Sequence, residues 1–465
     1  MKTDILVIGG GPGGHVAAIK AVELGGRAIV IEQYKLGGTC LHQGCIPTKT
    51  LLHTTDVLHE IQHAAVLGID VGAASVDLTR LQERKNAIIN GITEGVNGLV
   101  ASKGVEVLYG TAELLSDKQA KLIQADGSEQ IIDFDKLVLA TGSVPASLPI
   151  AGTDLPQVIT SNEALSLTEV PAKLVVIGGG VIGVEFAQLM HRLGAEVSII
   201  EAHHKILSHM DDELSNELAD ILRTEGIRVC VNAKVSAISK TTTGVDVCFA
   251  TEQGAETVPA DLVLMAVGRR PNLSGFGLEK TGVTTERGAI VVNGYMQTNV
   301  PHIYAVGDCT GGYMLAHVAM EQGIVAAKNL VKGNHELFDP ATVPACVYTS
   351  PEFATVGLSE QAARQRGEVK IGQTSLAGNA KTMIVQQTGT VKFVVDAATN
   401  RVLGMHILGP RASDMIHEGA LAIKKAATIE DIIHTIHGHP TIAEGVHEAA
   451  EDVFGNAIYK AYPQA

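Results

Sequence analysis

Ile5-Leu6-Val7-Ile8-Gly9-Gly10-Gly11-Pro12-Gly13-Gly14 stands almost at the N-terminus, and its reading decides the fold. Four apolar β-formers before a glycine run predict a buried strand that turns sharply into a helix over about Gly13–Leu24. Gly9 and Gly11 permit a tight turn and close approach of a pyrophosphate, while Gly14 lets helix and strand pack. The helix N-terminus offers its amides to the phosphates. A second strand ends at Glu32, where a carboxylate is placed to take ribose hydroxyls. The same unit returns 169 residues later, as Leu174-Val175-Val176-Ile177, then Gly178, Gly180 and Gly183, then a strand closing at Glu201. First glycine to carboxylate spans 23 positions in both copies, and Gly25 and Gly194 coincide under the same offset. One glycine fingerprint is a weak signal, but two complete units in register predict two dinucleotide-binding domains. Glu201 suits a free 2′-hydroxyl and repels a 2′-phosphate, and no arginine follows it. The second site is therefore expected to take NAD rather than NADP; His203 and His204, which could charge, weaken that expectation slightly.

Downstream of the first unit comes Gly37-Gly38-Thr39-Cys40-Leu41-His42-Gln43-Gly44-Cys45-Ile46-Pro47-Thr48-Lys49. The residues between the cysteines make one distorted helical turn, which brings the sulfurs within disulfide range. Lys49 lies four residues beyond Cys45, on the same face of a continuing helix. A disulfide over so short a loop is a weak staple. Two free buried thiols are the ordinary reading in a large acidic protein; the flanking glycines and the phosphate loop favour a redox dithiol. Cys230, Cys248, Cys309 and Cys346 are expected to be free and buried, as suits a reducing cytoplasm.

At 465 residues the chain exceeds one core, and about three domains are expected. Hydrophobic residues at 46% against 18% charged exclude a disordered chain. A net charge of −15 disfavours nucleic acid and anionic membrane as partners. No charge-free apolar run reaches the roughly 18 residues a membrane span needs. The apolar N-terminus reads as a strand rather than a signal peptide, with no targeting extension before it.

Two apolar strands end in small-residue turns that let backbone pass close to a ligand: Leu137 to Gly142, and Leu262 to Gly268 before Arg269-Arg270-Pro271-Asn272. An ordinary strand exit explains either one alone equally well. Ile303 to Asp308 delivers an aspartate at the end of a strand. From Pro344 onward, alternation over Val391–Val395 and Val402–Leu408 predicts an antiparallel sheet with helices. Near the end, His439 and Glu444 lie within hydrogen-bonding reach on a turn or helix start. That pairing suits a general base, and a metal-binding or solvated histidine cluster is the other reading. No cysteine or second acidic ligand stands beside it, so no metal is expected.

Together these residues resemble dihydrolipoamide dehydrogenases, among the disulfide-containing flavoprotein reductases, and the likeness runs essentially end to end. It rests on Gly-Gly-Thr-Cys-Leu-x-x-Gly-Cys-Ile-Pro-x-Lys, both fingerprints, Ala-Thr-Gly, Gly-Arg-x-Pro-Asn, Ala-x-Gly-Asp, Met314-Leu-Ala-His317 and His-x-His-Pro-Thr. The resemblance implies an α/β fold of two Rossmann-like dinucleotide-binding domains plus a C-terminal α+β dimerisation domain. It divides the chain into an FAD-binding domain (1–143), an NAD-binding domain (144–271), a central domain completing the FAD site (272–343) and an interface domain (344–465).

It also implies a homodimer acting on a lipoylated protein of a multienzyme complex. Cys45 would face the flavin and Cys40 would exchange with substrate. Lys49 would sit beside the flavin's reactive nitrogen with Glu185 as its ion-pair partner, although a solvated helix carboxylate is the bland alternative. FAD would be held by Gly9, Gly11, Gly14, Glu32, Thr39, Ala112, Thr141, Gly142, Asp308 and Ala316, and NAD by Gly178, Gly180, Gly183, Glu201, Val235, Ala266 and Gly268. His439, oriented by Glu444, would be the acid–base residue reaching the other subunit's disulfide, across a cis His439–Pro440 bond. His42, Gln43 and Thr48 depart from the commonest pattern, which bears on tuning rather than chemistry. Val181 replaces the gating tyrosine of NADPH-using glutathione reductases. Glutathione- or mercuric-reductase-like enzymes, or a non-catalytic redox-sensing flavoprotein, are the alternatives.

Overall fold

The computed structural model describes residues 1–460. The segment Tyr459-Lys460-Ala-Tyr-Pro-Gln-Ala, which carries no cysteine, lies mostly in 461–465, outside the described residues.

The opening strand, Lys2–Ile8, is buried from Ile5 onward because sheet neighbours flank it on both sides. It runs parallel to Ala28–Glu32 and to the second half of Glu129–Leu139. The sheet's order is Glu106–Tyr109, Ala28–Glu32, Lys2–Ile8, Glu129–Leu139, Gln119–Ile123, Thr111–Leu114. Glu129–Leu139 serves two neighbourhoods. Its first half pairs antiparallel with Gln119–Ile123, and its end pairs parallel with Ile303–Ala305. A segment distant in sequence is thereby threaded into the first sheet, and Asp308 follows it at the sheet's C-terminal edge.

The first helix spans Pro12–Glu23, one residue earlier at each end than the sequence pattern suggests. Proline's fixed φ suits a first helical turn, where its missing N–H costs nothing. The second unit repeats the first in a parallel sheet ordered Arg228–Cys230, Glu196–Ile200, Lys173–Ile177, Leu262–Met265, Val158–Ile159, with the helix Val181–Arg192 after its glycines. The repeat holds at atomic detail. Gly9 and Gly178 have φ of +99° and +106°, and an added Cβ would lie 2.2 and 2.4 Å from the carbonyls of Ala140 and Ala266. A Cβ on Gly14 or Gly183 would lie 1.8 or 1.9 Å from the carbonyl of Gly9 or Gly178, so no side chain fits where helix meets turn.

The region between the fingerprints contains the helices Cys45–Gln62 and Leu78–Ser102, with the short turn Ala64–Leu67 between them. The last stretch is an antiparallel sheet ordered Ala345–Val347, Glu352–Gly357, Val402–Gly409, Thr390–Asp396, Val369–Ser375. Phe353, Leu408 and Val347 from this sheet join Phe186, Leu189 and Leu218 of the second unit in one buried cluster. No described helix is long and apolar enough to cross a membrane.

One expectation fails. All six cysteines are free, but of the four outside the dithiol only Cys309 is buried. Cys230 and Cys346 stand on edge strands, and Cys248 lies on a three-stranded sheet, so their surroundings cover them only in part.

The contact at Gly183 makes a direct stability test. Gly183→Ala is expected to cost at least about 1–3 kcal/mol, as overpacking does. The measurement is the denaturant midpoint, and an unchanged midpoint would mean that the helix has room to move.

Candidate active site

The cysteine segment is two helices rather than one distorted turn. Gly38–Gln43 carries Cys40, and Cys45 opens Cys45–Gln62. Gly44 breaks them apart at φ −151°, ψ −113°. Thr48 Oγ1 donates to the Gly44 carbonyl at 2.6 Å and ties the break to the second helix. The cysteines therefore occupy different electrostatic places. Cys45 sits at a helix N-terminus, where partial positive charge favours a thiolate. Its thiol is held down to about 7, first by the hydrogen bond from Cys40 and then, against burial, by the Lys49 ammonium. Cys40 is pushed up by donating that same bond and by burial. The reduced pair has a polarity: Cys45 thiolate, Cys40 thiol. His42, between them, bonds through Nε2 to the Leu36 carbonyl at 2.9 Å, and Gln43 is exposed.

Lys49 lies one helical turn after Cys45. Its Nζ donates to both oxygens of Glu185, at 2.9 and 2.8 Å. Glu185 is not a solvated helix carboxylate, because its side chain is only 3% exposed. It comes from the helix Val181–Arg192 of the second unit and also accepts the N–H of Tyr348 at 2.9 Å. The Tyr348 ring lies under the same ammonium, 4.5 Å from its centroid. Tyr348 was not foreseen, since nothing in the sequence marks a tyrosine some 300 residues away as a neighbour of Lys49.

Each glycine loop faces a carboxylate. Glu32 accepts from Gly10 N at 2.6 Å and Tyr34 N at 2.7 Å, and Glu201 from Gly179 N at 2.5 Å and His203 N at 2.7 Å. Both carboxylates are thus fixed by backbone donors, with lone pairs left for hydroxyls. No side chain caps either following helix. The space beside the loops is open: a Cβ on Gly11 would find only Gly38 Cα, at 3.9 Å, and one on Gly180 would find nothing within 4 Å.

The other expected cofactor residues surround these loops. Ala112 lies on the strand Thr111–Leu114, beside Gly110, whose N–H bonds the Glu32 carbonyl at 2.9 Å. Thr39 is half-buried in the short helix before Cys40. Thr141 Oγ1 donates to the Asn272 carbonyl at 2.7 Å, and Gly142 (φ +71°) has open space beside it. Ala316 is the first residue of the helix Ala316–Lys332. In the second unit Ala266 abuts Gly178, Gly268 has φ +100° beside open space, and Val235 is buried on Lys234–Lys240. Asp308 accepts Ser143 Oγ at 2.5 Å, and Ser143 Oγ accepts Arg269 Nε at 2.7 Å. Arg269 opens Arg269-Arg270-Pro271-Asn272, and its distance of 126 residues from Ser143 hides this link in the sequence.

His439 Nδ1 is 2.8 Å from Glu444 Oε1, and Glu444 Oε2 accepts Thr441 N at 2.9 Å. The Thr441 N–H, and then His439 itself, hold the Glu444 carboxyl below its usual range. The His439–Pro440 bond is cis. The His439 side chain is 75% exposed, and among the described residues no hydrogen bond or ion pair links it to Cys40 or Cys45 of the same chain. His437 pairs with Glu418 at 3.2 Å, a contact the sequence did not suggest.

Residues 3–323 match the family described as pyridine nucleotide-disulphide oxidoreductase, and residues 343–450 match that family's dimerisation domain. A dihydrolipoyl dehydrogenase of Bacillus subtilis is 39% identical, over 98% of this chain and 99% of its own. Dihydrolipoyl dehydrogenase 2, mitochondrial, of Arabidopsis thaliana is also 39% identical, over 98% of this chain and 91% of its own. Among solved structures, LpdA of Mycobacterium tuberculosis superposes with a TM-score of 0.88 at 30% identity, covering 97% of this chain and 99% of that one. The Cu(II) complex of the HOCl-induced flavoprotein disulfide reductase RclA of Escherichia coli gives 0.86 at 29% identity, over 98% of this chain and 99% of that one. Two dinucleotide loops with a cysteine pair after the first, and likeness along the whole length, make this chain a member of the pyridine nucleotide-disulphide oxidoreductases, in their dihydrolipoyl dehydrogenase branch.

Proposed function

We propose that the chain oxidises protein-bound dihydrolipoamide and passes two electrons to NAD, with FAD between them. The observation that carries the reading is the placement of Cys45 at a helix N-terminus, with Cys40 in the preceding short helix and the ammonium of Lys49 fixed by Glu185 one turn further on. Dihydrolipoyl dehydrogenases of this family use FAD and NAD. The residues present fit both: two uncapped helix N-termini, two backbone-fixed carboxylates, and open space where Gly11 and Gly180 lack a Cβ. FAD would be held by Gly9, Gly11, Gly14, Glu32, Thr39, Ala112, Thr141, Gly142, Asp308 and Ala316, with Lys49 at its reactive end. NAD would be held by Gly178, Gly180, Gly183 and Glu201, flanked by Val235, Ala266 and Gly268. Bound there, the cofactors supply a two-electron path from the dithiol to nicotinamide.

The chain's own residues do the sulfur chemistry. Glu444 fixes the His439 ring through Nδ1, so Nε2 is the nitrogen that takes a proton from a substrate thiol. The resulting thiolate attacks Cys40 Sγ, the Cys40–Cys45 bond breaks, and Cys45 leaves as a thiolate. The second substrate thiol then attacks the mixed disulfide, its proton passes to the departing Cys40 sulfur as lipoamide closes its ring, and the first proton stays on His439. Lys49 stabilises the negative charge gathered at Cys45, and Glu185 with Tyr348 fixes where that ammonium points.

His439 serves the dithiol of a second copy, which makes the working unit a homodimer, in keeping with the matched dimerisation domain. The substrate arm is carried by a lipoylated subunit of a 2-oxo acid, acetoin or glycine-cleavage complex in the cytoplasm.

Three measurements test this reading. In the reduced protein, alkylation of Cys45 followed by peptide mass is expected to rise with pH through about 7, because the lowered thiol is ionised above that value. Cys40→Ala removes the leading cause and is expected to move the midpoint upward by roughly one to two pH units; an unmoved midpoint would contradict the assigned polarity. His439→Gln is expected to keep bound flavin and cut lipoamide turnover roughly 10²-fold or more, and full activity would refute the base. NADPH is expected to serve roughly 10²-fold worse than NADH in lipoamide reduction, since Glu201 would face a phosphate. Equal rates would overturn the NAD assignment.

A further inference from the structure

Between the second unit and the C-terminal sheet lies a cluster of buried charge that takes no part in the chemistry above. Lys392, on Thr390–Asp396, has a side chain only 3% exposed. Its Nζ lies 2.8 Å from Glu360 Oε2, 3.1 Å from Glu213 Oε2 and 3.3 Å from Asp211. Asp211, 2% exposed, is the N-cap of the helix Asp212–Glu225 and accepts from Glu213 N at 3.1 Å. Lys205, also 2% exposed, donates to the Met210 carbonyl at 2.5 Å and pairs with Asp212 at 2.8 Å. His406 lies in the same buried layer, bonded to Thr355 Oγ1 and to the Leu358 carbonyl.

The segment that reaches Asp211 begins at the nucleotide carboxylate. Glu201 accepts from Gly179 N at 2.5 Å, and Leu207 N donates back to the Gly179 carbonyl at 2.8 Å. Residues 201–211 therefore form one hydrogen-bonded arc. Its near end is Glu201 with the second glycine, and its far end is a buried carboxylate held by a lysine from the C-terminal sheet. A buried carboxylate without its cation is strongly unfavourable, and the simplest relief is for the arc to swing Asp211 toward water.

We infer that Lys392 is a positioning residue for the second dinucleotide site: it pins the arc 201–211 to the C-terminal sheet, so that NAD meets Glu201 and Gly179 already placed. A ligand that must order its own site binds more weakly by that cost. The inference rests on the proposed reading of Glu201 as the ribose carboxylate, and the experiment separates the two.

The probe is NAD⁺ binding to the oxidised holoenzyme by calorimetry, with kcat and KM measured alongside. Lys392→Met is expected to raise the Kd for NAD⁺ and the KM roughly tenfold, with flavin content, kcat at saturating NAD⁺ and dithiol reduction by dihydrolipoamide within about twofold of the parent. Lys392→Arg, which keeps the cation, should restore binding. If Lys392→Met yields no folded protein, Asp211→Asn carries the same expectation, since it keeps the cap but removes the ionic link that ties the arc to Lys392. Glu201→Ala is the control. If it leaves Kd unchanged, the reading of the site fails. If it weakens binding while flavin-loaded Lys392→Met or Asp211→Asn does not, or if dithiol reduction falls as far as NAD⁺ affinity, the positioning role is refuted.

Discussion

The buried carboxylate of Glu185 is the constraint on which the rest of the site depends. It belongs to the helix after the second glycine loop, yet its two partners come from elsewhere: Lys49 from the cysteine helix and the backbone of Tyr348 from the C-terminal sheet. Burying a carboxylate this deeply is costly unless a cation and hydrogen bonds surround it. Helix geometry alone puts Lys49 one turn from Cys45, but three distant stretches must converge before its ammonium is fixed in direction. The polarity of the dithiol has a local cause first, the hydrogen bond from Cys40 to Cys45, to which the fixed ammonium and the helix N-terminus at Cys45 add.

Around that pair the chain uses one solution twice. Each glycine loop is too tight for a side chain where helix meets strand, and each leaves space open where a diphosphate can lie. Each places a carboxylate at the next strand's end and fixes both its oxygens with backbone N–H groups. Fixing the carboxylate in advance lowers the ordering cost of binding. The two sites then differ in what supports them from behind. The first has Ile303–Ala305 added to its sheet, bringing Asp308 and the Arg269–Ser143 link. The second leans on the C-terminal sheet through a shared apolar cluster and the charges around Lys392.

What could be read from the sequence was local. The glycine pattern carries its own geometry, so strand, loop, helix and terminal carboxylate were legible, to within a residue in the first helix. The His439–Glu444 hydrogen bond was legible too, because five residues of chain limit how far apart the groups can be. The break at Gly44 was not, since a Gly-Cys step is as compatible with a distorted turn as with two helices. Tyr348 under Lys49, Glu418 on His437 and the carboxylates around Lys392 escaped for one reason. Each is a tertiary contact between residues that share no period, so no spacing rule bears on it. The half-buried cysteines failed differently: the thiol's preference for the interior is an average, overridden at the sheet edge for Cys230 and Cys346 and on a three-stranded sheet for Cys248.

The exposure of His439 follows from the same physics. On the proposed reading, a base that meets a thiol carried in by another protein has to stand where that arm can reach, yet an exposed imidazole freely exchanges tautomers and rotamers. Glu444 removes that freedom, because its carboxylate is fixed by the Thr441 N–H and then holds one ring nitrogen at 2.8 Å. The other nitrogen is left facing outward on a side chain that is 75% exposed. Among the described residues, His439 has no thiol bonded to it and the dithiol has no histidine bonded to it. Two such halves, each complete in itself and each lacking what the other presents, are what a composite site between two copies requires.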